Sequence, residues 1–159
     1  MNVKSRVKIL YIAGNEGAGK SPTCRNTKKL LESNNYKVTD MPMDFGCNDF
    51  AVHLCNQTNN VILCTASDSK EIIDELIKFY NQHTDSGELT LILAARNKGD
   101  PMRNYLESKL KKIVVIEEKV EIPLVRINGN AGKEVHDWYH KSVDELVKKI
   151  LSENPFCLI

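Results

Sequence analysis

The chain has 159 residues, 42% of them hydrophobic and 27% charged. That is a single-domain length with room for a substantial core, and ordinary globular content rather than the composition of a disordered or membrane-spanning chain. A formal net charge of +1 gives no electrostatic basis for nucleic-acid or membrane-surface binding. The five cysteines (Cys24, Cys47, Cys55, Cys64, Cys157) form no CxxC pair. They suggest neither a zinc frame nor a disulfide framework, and fit a reduced, cytoplasmic compartment. No signal peptide and no apolar run of membrane-spanning length is recognisable.

In chain order, residues 7–13 (VKILYIA) read as a strand and 22–33 as a helix with Cys24, Thr27, Leu30 and Leu31 on one face. A short strand over 36–41 and a short helix over 48–55 are expected next. Residues 61–65 (VILCT) read as a buried strand. Residues 69–81 place Ile72, Ile73, Leu76, Ile77 and Tyr80 at helical spacing. The run 89–95 (LTLILAA) is a second buried strand, and 101–112 a helix. Residues 113–121 fit either a helix continuation or an extra strand. The last strand is expected at 123–128, and the last helix at 133–151 with Val135, Trp138, Tyr139, Ser142, Leu146, Val147 and Ile150 on its buried face. Apolar strands alternating with amphipathic helices imply one α/β domain over 1–159: three layers, a mostly parallel sheet and helices on both faces.

Residues 14–21, Gly14-Asn15-Glu16-Gly17-Ala18-Gly19-Lys20-Ser21, match the phosphate-loop pattern G-x-x-x-x-G-K-[ST] between the first strand and first helix. In such a loop the backbone N–H groups of Gly14 to Gly19 face a phosphate, and the helix N-terminus adds its dipole. Lys20 reaches the β- and γ-phosphates and Ser21 holds Mg²⁺. Pro22 is tolerated directly after Ser21, because an amide in the first turn of a helix has no partner there.

The strand at 89–95 ends in Arg96-Asn97-Lys98-Gly99-Asp100. Asn97-Lys98-x-Asp100 at a strand's carboxyl end, after a phosphate loop, resembles the guanine-reading motif of the Ras-like small GTPases. The resemblance implies a Ras-like fold binding GTP or GDP, with Asp100 accepting from the guanine N1–H and exocyclic amine. Adenine offers no such pair. Lys98 packs over the loop and Asn97 braces it. Asn128-Gly129-Asn130 occupy the positions of that family's last motif, normally Ser-Ala-Lys, with no identity; base contacts there fall to the backbone.

The resemblance also marks what is missing. The first switch, with its threonine, and the antiparallel edge strand after it are expected to be absent, with Thr39 inside a strand. The second switch normally opens with DxxG and a water-orienting glutamine. Neither Asp40 nor Asp44 has glycine three positions on, although either could support Mg²⁺ through water. The only glutamines are Gln57 and Gln82. The expectation is an atypical or pseudoGTPase-like signalling or scaffold module, like those inside Rho-directed GTPase-activating proteins. It would bind guanine nucleotide, hydrolyse it slowly or not at all, and engage a protein partner. No catalytic residue is assigned.

Two alternatives differ in class. One is a nucleotide-free interaction module. The other is a small P-loop nucleotide kinase: residues 16–21 are similar to the start of thymidylate kinases, but Pro22 replaces their threonine and no arginine cluster forms a lid. His136 and His140 have i, i+4 zinc-compatible spacing without an evident third ligand. Cys24 lies near a helix start, where a thiol pKa can fall, although a packed, inert cysteine is the commoner outcome.

Overall fold

The structure is a computed structural model that describes residues 3–83 and 88–159. Its chain order is β1 (Ser5–Ala13), α1 (Lys20–Ser33), β2 (Lys37–Val38), β3 (Met43–Gly46), β4 (Asp49–Cys55), β5 (Asn60–Cys64), α2 (Lys70–Asn81), β6 (Leu89–Ala95), α3 (Pro101–Ile113), β7 (Val114–Pro123) and α4 (Lys133–Ser152). The seven-stranded sheet runs β2-β4-β5-β6-β1-β7, with β3 also on β4. β5, β6, β1 and β7 are mutually parallel; β4 is antiparallel to β5, and β2 and β3 are antiparallel to β4.

β1 is central, and its side chains alternate between two cores. Leu10 and Ile12 face α1 and α4, together with Leu31, Val143, Val147 and Leu151. Ile9 and Tyr11 face α2 and α3, together with Ile73, Leu76, Leu106 and Leu110. Burial on both faces explains why β1, β5 and β6 read as nearly unbroken apolar runs. The expected layers are therefore present: a mostly parallel sheet between two helical layers.

The expectation that an antiparallel edge strand is missing is overturned. β4 replaces the short helix expected over 48–55. Residues Ala51 to Leu54 are all buried, and the strand pairs with β5 from Ala51↔Cys64 to Cys55↔Asn60. Isolated helical spacing in seven residues does not outweigh a full ladder of cross-strand pairs. β2 is only two residues long and takes the part of β4's outer edge at Leu54 and Cys55; β3 takes the part near Asp49 to Ala51. The turn joining β3 to β4 carries Gly46, Cys47 and Asn48 at φ of 82°, 53° and 66°.

Two other boundaries move. The strand near the end of the chain is Val114–Pro123, parallel to β1 along its whole length, and residues 124–128 lie outside it. Its one-sided burial dilutes the apolar signal: Glu117, Glu118 and Lys119 are exposed on this sheet edge. On α4 the buried residues are Val143, Val147 and Leu151, whereas Trp138 is 70% exposed and Val135 and Leu146 are also exposed.

The connections define where a ligand can sit. The chain leaves β1 into α1 on one face of the sheet and leaves the neighbouring β6 into α3 on the other. Such a divergence at the carboxyl ends of adjacent parallel strands opens a crevice, the usual ligand site of open α/β sheets.

Candidate functional site

The 14–21 loop starts at that crevice, where the Gly14 N–H donates to Ala95 O at 3.0 Å and so ties the loop to the end of β6. Gly17 and Gly19 have φ of +78° and +94°, a backbone region that other residues rarely adopt. α1 opens at Lys20 with Gly19 as its N-cap and no side-chain cap, which leaves its first amides directed into the loop. Lys20 is only 8% exposed. Its ammonium donates to Gly14 O at 2.7 Å, and Asp68 Oδ1 stands 3.8 Å away. Burial lowers its pKa from the ordinary value, an effect that Asp68 and Asp100 oppose and Arg96 reinforces.

Ser21 Oγ donates to Thr65 O, at the end of β5, at 3.0 Å. Thr65 Oγ1 in turn donates to Asp49 Oδ1 at 2.8 Å, and Asp68 Oδ1 accepts from Arg96 Nε at 2.9 Å. The carboxylates beside the 14–21 loop are thus Asp68 and, one residue removed, Asp49. Asp40 and Asp44 are engaged elsewhere. Asp40 pairs with His83 Nε2 at 2.8 Å, past the end of α2 and at the opposite end of the sheet. Asp44 Oδ1 accepts from Gly46 N at 2.7 Å in the hairpin turn beyond β4. Among the described residues no group of three or more His, Cys, Asp or Glu side chains could hold a metal ion. A Mg²⁺ ion held together with phosphates needs only one or two protein ligands, with water supplying the rest. Ser21 and Asp68, bonded here to Thr65 O and Arg96 Nε, are the oxygen-bearing side chains that could serve as such ligands.

The 97–100 segment lies directly across the crevice. Asn97 Nδ2 donates to Asn15 Oδ1 at 3.0 Å, joining the two motif loops. Lys98 is exposed, and Asp100 is the N-cap of α3, where its Oδ1 accepts from Met102 N at 2.8 Å. The motif is held from beneath by Arg103, which is buried and stacks on the Tyr11 ring at 4.0 Å. Arg103 pairs with Glu107 and Glu121 and donates to Arg96 O at 2.9 Å.

Residues 128–130 are placed differently. They follow β7, on the other side of β1 from β6, so the 97–100 and 128–130 segments flank the 14–21 loop from strands ~10 Å apart. The hydrogen bonds of this turn are internal: Asn130 N to Asn128 Oδ1 at 3.1 Å and Ala131 N to Asn128 O at 2.9 Å. The structure brings together residues 14–21, 97 and 100, and leaves 128–130 on the opposite flank.

Sequence reasoning missed Asp68, Arg126 and His140. Asp68 was accessible, since an acid just past a buried parallel strand lies at the ligand end of the sheet. Arg126 and His140 reach the loop by packing alone: a Cβ added at Gly17 would stand 3.3 Å from Arg126 Nε, and one at Gly19 would stand 2.9 Å from His140 Cε1. Cys24 is fully buried, and burial, reinforced by neighbouring Cys64, pushes its thiol pKa up. No protein-family model matches this chain, and no curated protein sequence matches it.

Proposed function

We propose that this chain is a Ras-like nucleotide-binding domain that holds GTP or GDP at residues 14–21, reads guanine with Asn97, Lys98 and Asp100, and hydrolyses GTP slowly or not at all. Such a domain acts as a signalling or scaffold module through a protein partner. The observation that carries the reading is the juxtaposition of two motifs at one crevice: a phosphate loop with its lysine in place, bonded through Asn15 to Asn97. Asp100 spends one acceptor position on capping α3. A carboxylate has about four, which leaves enough for the two guanine donors.

The absence of hydrolysis rests on placement. GTPases of this class orient the attacking water with a side chain, often glutamine. Gln57 lies in the connection from β4 to β5, and Gln82 caps the end of α2. Both are at the end of the sheet opposite the phosphate loop. Thr39 is committed to His53, with its Oγ1 2.6 Å from Nδ1.

The nucleotide-free module is the second reading, and one observation favours it. Lys20, Ser21 and Asp100 all have partners within the protein, so the site is satisfied without ligand. Chromatography of what the purified protein releases on denaturation separates the two. GDP or GTP near equimolar with protein supports guanine binding, and retained GTP supports the lack of turnover. Adenine nucleotide refutes the base assignment. A protein that emerges empty and fails to bind added GTP·Mg²⁺ establishes the nucleotide-free reading.

A further inference from the structure

Arg126 is a cation at the 14–21 loop that neither motif contains. Its side chain lies on Gly17, with Nε, Cδ and Cζ at 3.3, 3.6 and 3.6 Å from the position a Cβ would take. The absent Cβ leaves that space to the guanidinium and its stem. The backbone leading into Arg126 is fixed by two bonds: Leu124 N donates to Ala13 O at 2.7 Å, and Val125 N donates to Tyr139 Oη at 2.9 Å. α4 is seated on the same loop through His140 against Gly19. Arg6, Arg96 and Arg103 each have a carboxylate partner. Arg126 makes no hydrogen bond or ion pair with any described residue.

An exposed arginine held against the crest of a phosphate loop, with its donors uncommitted, has the geometry of an anion ligand. Its planar fork matches two phosphate oxygens at once. Lys20 approaches from inside the loop, whereas Arg126 comes from the β7 side, opposite the 97–100 segment. The two cations bracket the space above Gly17 and Gly19.

We propose that Arg126 is a phosphate-binding residue of this site, gripping the polyphosphate from the flank opposite the base. The inference rests on the nucleotide-binding reading above. It goes beyond that reading in assigning a second cationic phosphate contact beside Lys20, outside both motifs, that acts on phosphate and not on base.

The test is titration of the purified chain with GTP·Mg²⁺ and with GMP, for wild type, Arg126→Ala, Arg126→Lys and Lys20→Ala. Loss of a charge-assisted contact predicts that Arg126→Ala weakens GTP binding about tenfold or more. GMP should be affected much less, and Arg126→Lys should recover part of the loss. Arg126 is exposed, so the urea midpoint of Arg126→Ala should match wild type, which separates a binding defect from a folding one. Equal weakening for GTP and GMP, or GTP affinity within about twofold of wild type, overturns the inference. If wild type binds GTP through Lys20 while Arg126→Ala is unaffected, the inference alone fails. If wild type binds neither nucleotide, the proposed function fails and carries the inference with it.

Discussion

Asp100 caps a helix at the position that the proposed nucleotide reading gives to base recognition. Its Oδ1 caps α3 by accepting from Met102 N at 2.8 Å, with Pro101 following in the first turn. Loss of an N-cap costs about 1 kcal/mol. Asp100→Ala therefore mixes a stability defect with any recognition defect. Asp100→Ser separates them, because serine caps as well as aspartate but cannot accept from the two guanine donors together. The expected outcome is a urea midpoint near wild type with no preference for GTP over ATP in a competition assay; retained preference removes Asp100 from base recognition. The motif singles out Asp100 in the sequence. Asp68 stands out there only as an acid just past a buried parallel strand; its approach to Lys20, 3.8 Å away, depends on the fold. Arg126 left still less trace, since no pattern predicts which side chain will cover a particular glycine.

At the scale of elements, α4 shows where periodicity runs out. Its sequence carries two apolar stripes, one through Val135, Trp138 and Leu146, the other through Val143, Val147 and Leu151. Helical spacing identifies both, but only packing against α1 and the sheet decides which is buried. The second stripe is, and the first faces solvent. Similarly, the alternation in β7 was diluted by its place at the sheet edge, and β4 was misread because its partner β5 lies outside any local window. By contrast, α2, β6 and α3 were legible nearly to the residue, since Ser69 and Asp100 cap the two helices and β6 is buried throughout. The α4 phase predicts a sharp contrast. Leu151→Ala, at a site with 0% exposure, should destabilise by about 2–5 kcal/mol, while Trp138→Ala should stay within about 0.5 kcal/mol of wild type. Trp138 is the only tryptophan, so its fluorescence should be red-shifted and quenched by iodide in the native protein. A blue, protected emission would reverse the assignment.

At the scale of the whole molecule, the two ends of the sheet carry different chemistry. The carboxyl end holds the 14–21 loop proposed to bind phosphate. The other end holds a polar cluster, built on two buried histidines, that fastens the antiparallel strands to α2. His83 Nε2 meets Asp40 Oδ2 at 2.8 Å, its Nδ1 lies 2.7 Å from Phe79 O, and its ring is 4.8 Å from that of His53. His53, on β4, is 2.6 Å from Thr39 Oγ1 through Nδ1. Burial, and then the neighbouring His83, lower the His53 pKa from its ordinary 6.5, against the opposing pull of Asn60 and Asp40. The unfolded chain therefore binds a proton at His53 in a window just below about pH 6.5, where the native protein resists it, and stability rises with pH wherever the unfolded state holds more protons. The contribution is complete above that window and is lost as pH falls through it. Wild type should thus lose more stability than His53→Gln between about pH 7 and about pH 5.5, read from urea midpoints at the two pH values. Taking the difference between the two proteins removes the titration of shared groups that do not interact with His53. Parallel pH profiles would mean that protonation of His53 is as easy in the folded protein as in the unfolded chain, and that this cluster holds the edge of the sheet by packing rather than by charge.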